Sequence, residues 1–93
     1  MTNPGSGEDE TLLEFPCAFP IKAMGRTSEG FQAIVTHIVR GHAELWPGES
    51  VRCNESRNGN YLAVTLVVRA TSQEQLDAIY QDLTDSPDVL MAL

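Results

Sequence analysis

Between Tyr61 and Ala70 the chain reads YLAVTLVVRA, with Leu62, Val64, Leu66 and Val68 on every second position. A period of two gathers those four side chains on one face of a β-strand, whereas a helix would scatter them. The stretch opens after NGN at 58–60, where Asn and Gly tolerate the positive φ of a hairpin turn. It closes on TSQE at 71–74, where the rhythm changes to that of a helix. This is the longest and most apolar strand segment in the chain, so it belongs in the middle of a sheet. The remaining elements must be arranged around it.

Upstream, Cys17, Phe19, Ile21 and Ala23 alternate in the same way. Pro16 and Pro20 cannot donate ladder hydrogen bonds, so pairing is expected to begin near Ile21 and to stop at Gly25. Phe31, Ile34, Val35, Ile38 and Val39 then recur at helical spacing, with Ser28 as the expected N-cap, Glu29 in the first turn and Gly41 as terminator. AELWPGES is loop, and VRCNESR is a short polar strand suited to a sheet edge. After the central strand, Thr71 and Glu74 form the expected capping box of a second helix with its stripe at Leu76, Ile79, Tyr80 and Leu83. DSPD breaks that helix, and VLMAL supplies a last strand. The order β-α-β-β-α-β predicts an α+β, ferredoxin-like fold. Right-handed crossovers give a four-stranded antiparallel sheet of strand order 4-1-3-2, with both helices on one face.

Length and composition limit what such a fold can do here. The 93 residues suffice for one thin core. Residues 1–11, with NPGSG and a run of acids, are expected to be a disordered acidic tail without the features of a signal peptide. Residues 12–93 form the expected single domain. The formal charge is −7, six Lys and Arg against 13 Asp and Glu. That balance argues against nucleic acid, whose phosphates are neutralised by basic side chains. No apolar run is long enough to span a membrane. Cys17 and Cys53 lie far apart in sequence with no export signal, so free thiols and a cytoplasmic location are expected.

FPCAFPIKAMG, GNYLAVTLVVRATSQEQL and the closing VLMAL together resemble the YbeD-like family of small bacterial proteins. The likeness runs from about Leu13 to Leu93. Its hallmarks are Phe15, Pro16, Phe19, Lys22, Met24 and Gly25, then Gly59, Tyr61, Val64, Ala70 and Thr71, and finally Val89, Met91 and Leu93. The resemblance implies a ferredoxin-like fold akin to ACT regulatory domains. It also implies a connection with lipoate metabolism, on which no residue here bears, and it brings no catalytic residue with it.

Reading the residues for chemistry points away from an enzyme. The two cysteines form no C-x-x-C pair, and each is expected to be a buried, inert thiol. His37 and His42 stand about 140° apart around a helix and cannot clamp one metal. His37 is expected to be solvated, and His42 to cap the first helix. Neither a metal nor an organic cofactor is expected. Arg26, just ahead of the first helix, is a candidate to hold an anion at that helix N-terminus.

The more informative prediction concerns the sheet face turned away from the helices. Alternation places Ala18, Pro20, Lys22 and Met24 there from the first strand, with Arg52, Asn54 and Ser56 from the second. The third contributes Tyr61, Ala63, Thr65, Val67 and Arg69. Three bases and no acid fall on this face of a net acidic chain. Lys22, Arg52, Tyr61, Thr65 and Arg69 are therefore the candidate binding residues. Their expected role is in a non-catalytic regulatory or adaptor module that takes a protein partner or a second copy of itself. The alternative is an ACT-like sensor of a small anionic metabolite. The plain reading is a solvated face on which Lys and Arg stems cover apolar neighbours.

Overall fold

The computed structural model describes residues 13–93, so the expected tail at 1–11 lies outside the described residues. The elements run β1 (Cys17–Arg26), α1 (Phe31–Arg40), β2 (Val51–Glu55), β3 (Tyr61–Ala70), α2 (Gln73–Asp85) and β4 (Met91–Ala92). They form one sheet of order β2-β3-β1-β4, the expected ferredoxin-like arrangement read from its other edge. All three strand pairings are antiparallel. β3 is central, paired along its whole length with β1, from Cys17 opposite Ala70 to Arg26 opposite Tyr61. Ile21 and Ala23 of β1 and Leu62, Val64, Leu66, Val68 and Ala70 of β3 are buried beneath the helices. Phe31, Val35 and Val39 of α1 and Leu76, Ile79 and Leu83 of α2 complete this core.

The boundaries differ from expectation in instructive ways. β1 pairs from Cys17 onwards rather than from Ile21. The N–H of Lys22 donates to Leu93 O at 3.0 Å, so even-numbered amides of β1 point towards β4. Pro20 has the same orientation, and its missing donor therefore costs the β1–β3 ladder nothing. β1 also continues through Gly25 to Arg26. A Cβ on Gly25 would lie 2.4 Å from both the Asp88 carbonyl oxygen and the Phe31 ring. This glycine permits close approach and does not end the strand.

Both helix starts are shifted. α1 begins after Gly30 with no side-chain cap, and neither Ser28 nor Glu29 plays its expected role; the Ser28 carbonyl instead accepts from the Phe31 N–H at 3.4 Å. For α2 the N-cap is Ser72, whose Oγ accepts from the Gln75 N–H at 3.0 Å. Gln75 Oε1 in turn accepts from the Thr71 N–H at 2.8 Å. The reciprocal cap thus sits one residue beyond the expected Thr71–Glu74 pair, because Ala70 is still a buried strand residue. Gly41 does end α1, its N–H bonded to the His37 carbonyl at 3.1 Å. Cys17 is half-buried and Cys53 is exposed, so neither is the fully buried thiol expected. Cys53 sits on the edge strand, opposite Val64.

Residues 44–50 lie along β3 beyond the end of β2. Arg69 N–H donates to Glu44 O, Trp46 N–H to Val67 O and Val67 N–H to Ser50 O, each at 2.8 Å. Leu45 bridges to Val68 and packs against the core, while Trp46 is half-buried. Ser50 is buried and its hydroxyl donates to the Trp46 carbonyl. At the opposite edge, the Tyr80 hydroxyl donates to Leu93 O at 3.0 Å, and partial burial raises its pKa above the ordinary tyrosine value.

Candidate binding face

Strand register places the candidate residues on the outer face as cross-strand rows. Lys22 stands opposite Thr65, and Thr65 opposite Arg52, with Leu93 completing the row through its backbone bonds to Lys22. The next row is Met91, Met24, Ala63 and Asn54. Arg26 lies opposite Tyr61. Pro20 faces Val67, and Ala18 faces Arg69.

Four of the six Lys and Arg, namely Lys22, Arg26, Arg52 and Arg69, thus occupy strand positions of one parity. Glu55, the one acid within these strands, has the opposite parity because it faces Leu62. Among the described residues, none of the four bases is in an ion pair. They alternate with exposed apolar side chains: Tyr61 is 41% exposed, Met91 50% and Leu93 62%. The face therefore mixes bases outside any ion pair with exposed apolar side chains.

The bases are spread over the face. Lys22 and Arg52 are two strand spacings apart, about 10 Å, and Arg69 is about 13 Å along β3 from Thr65. A hollow of about 480 Å³ does lie beside Arg52, Thr65 and Val67, but Glu49 also lines it. The face is an extended strip of charges and not a convergent pocket.

Several contributors escaped the sequence reading. Arg26 joins the face because β1 runs past Gly25; the repeat Lys22, Met24, Arg26 was the available signal. The same Arg26 borders a small hollow of about 140 Å³ shared with Ser28 and Phe31, but Asp88 lines it too and opposes an anion there. Glu44 adds an acid whose backbone runs beside Arg69, a placement set by the long-range Leu45–Val68 bridge. The C-cap of α1 is Gly41, and the His42 side chain turns to α2 instead of to the helix end. Its Nε2 lies 2.5 Å from Asp82 Oδ2 on α2, so the ring ties the end of α1 to α2 while Asp82 stays exposed. His37 is exposed. Among the described residues, no three His, Cys, Asp or Glu gather where they could hold a metal ion. No helix among them is long and apolar enough to cross a membrane.

The model of the family described as "Protein of unknown function (DUF493)" matches residues 10–93. The chain belongs to the DUF493 family. This DUF493 chain is 45% identical over 85 residues to the UPF0250 protein NE1487 of Nitrosomonas europaea, covering 91% of its own length and 98% of that relative. A UPF0250 protein of Chromobacterium violaceum is 44% identical over 88 residues, with coverages of 95% and 99%. These findings agree with the resemblance to the YbeD-like family.

Among solved structures, the DUF493 fold is similar to protein HP0495 from H. pylori, with a TM-score of 0.70, 12% identity and coverages of 87% and 85%. It is also similar to the ACT domain from GTP pyrophosphokinase of Chlorobium tepidum, with a TM-score of 0.64, 12% identity and coverages of 83% and 97%. At these identities the likeness concerns the fold.

Proposed function

We propose that this DUF493 chain is a non-catalytic binding module of the cytoplasm whose outer sheet face takes an acidic protein partner. The observation that carries the reading is the segregation of charge. Lys22, Arg26, Arg52 and Arg69 share one face of a net acidic chain, spread across three strands and interleaved with exposed Tyr61, Met91 and Leu93. A broad protein surface can meet several such charges at once while covering the apolar residues between them. Two copies meeting face to face would oppose like charges, so a partner of the opposite sign fits better than a symmetric dimer. Tyr61 and Thr65 supply hydrogen-bonding groups within the strip. The ACT-like fold is compatible with a regulatory role for the binding, and the unpaired thiols Cys17 and Cys53 suit a reducing compartment.

The test is affinity capture from the source cells with the wild-type protein and with Lys22→Glu/Arg52→Glu. The double variant is expected to keep its fold, by amide NMR spectra, and to lose the specific partner. A folded double variant that retains the same partner at the same affinity overturns the reading.

A further inference from the structure

A hollow lies at the end of the sheet where α1 stops and α2 starts, and it brings Arg40 to Arg69 of the outer face. The α1–β2 connection and the β3–α2 connection run side by side there, and a single side chain joins them. Gln75 Oε1 accepts from the Thr71 N–H at 2.8 Å, while its Nε2 donates to the His42 carbonyl at 3.0 Å. Both functional ends of the amide are therefore used, one on each connection. The two walls of the hollow between them, about 500 Å³ in volume, are held in fixed relation. Arg40 and Arg69 both line it, together with Thr71 and Glu44. Neither guanidinium is in an ion pair among the described residues. The His42 ring, also at the hollow, is held against Asp82.

From this geometry we infer that the hollow is a binding site for a small oxyanion, a carboxylate or a phosphate group, held between Arg40 and Arg69. Guanidinium groups match both anions through paired N–H donors. The Thr71 hydroxyl supplies a further donor. The nearby N-terminus of α2 adds partial positive charge, and the C-terminus of α1 is already complemented by Arg40. Glu44 is the one carboxylate on the lining, and it tempers the field of the two arginines. Arg69 is shared with the outer face, so Arg40 is the residue that tests the hollow separately. Arg40 belongs to α1 and lies outside the sheet, so altering it leaves Lys22, Arg26 and Arg52 untouched.

Opposite effects at Arg40 and Glu44 give the test. The full chain, ¹⁵N-labelled, is titrated separately with inorganic phosphate and with citrate, ionic strength being held constant with sodium chloride. Saturable shifts are expected at the amides of Gly41, His42, Thr71 and Gln75. Arg40→Gln should weaken the affinity about tenfold, the scale of one charge-assisted hydrogen bond, and Glu44→Gln should tighten it. Saturation by phosphate alone assigns a phosphoryl ligand, and saturation by citrate alone a carboxylate. Shifts that stay linear with both anions, or that saturate identically in wild type and Arg40→Gln, overturn the proposal.

Discussion

Adjacent residues of β3 live under different rules. Leu62, Val64, Leu66 and Val68 are buried between sheet and helices, while Tyr61, Ala63, Thr65, Val67 and Arg69 stand on the other side of the same backbone, half-buried or exposed. On the inner face, removing apolar surface from water dictates residue type, and close packing dictates shape. On the outer face neither term is strong, so stability alone selects little. The bases gathered there, in a chain with an acidic excess, are a composition that folding does not require. The difference teaches where to look for function in a small domain: on the face whose residues the fold leaves undetermined.

The sharpest way to break that comparison is at Leu66, which is fully buried. Leu66→Ala should cost about 2–5 kcal/mol in denaturant unfolding through lost burial and the cavity left behind. Gly25→Ala probes packing from the other direction, since the new methyl meets the Asp88 carbonyl and the Phe31 ring. Over-packing of this kind costs about 1–3 kcal/mol, measurable as a fall in melting temperature. Ser72→Ala removes the N-cap acceptor for the Gln75 N–H and should cost about 1 kcal/mol.

Tyr80 tests the margin of the sheet. Its pKa is raised by burial, so the folded state holds the phenolic proton more tightly than the unfolded chain does. The stability this contributes is fully present below the ordinary tyrosine pKa of about 10 and is lost as pH rises through the raised folded value. Thermal melts of wild type and Tyr80→Phe should show wild type losing stability with alkaline pH more steeply than the variant. The smallest effect is expected on the outer face, where Lys22→Glu/Arg52→Glu should change stability by about 0.5 kcal/mol or less. A large loss in that variant would erase the contrast between the two faces.

Element order and face assignment were legible in the sequence because both rest on periodicity, and periodicity is local. Alternation in YLAVTLVVRA and the helical spacing from Phe31 to Val39 needed no knowledge of distant residues. The α2 cap was misplaced by one position because Thr71 and Ser72, like Glu74 and Gln75, are chemically equivalent choices until the last buried strand residue is known. The exposure of Cys53 depends on how far the helices cover an edge strand, which no local pattern records. Contacts across long stretches of chain were likewise invisible: His42 with Asp82, and the 44–50 segment along β3. The outer face could be listed from alternation, but the spacing of its charges needed the strand order as well.

Pro20 has a further consequence. Its ring occupies the flank of β1 that looks towards β4, and the β4 bonds reach that flank only as far as Lys22 and Leu93. A foreign strand laid along β1 beyond that point would find no donor at Pro20. Proline at such a position defends an open sheet margin against templated growth into aggregates. The opposite margin is protected differently: β2 is short, and beyond its end residues 44–50 pair with β3 in its place.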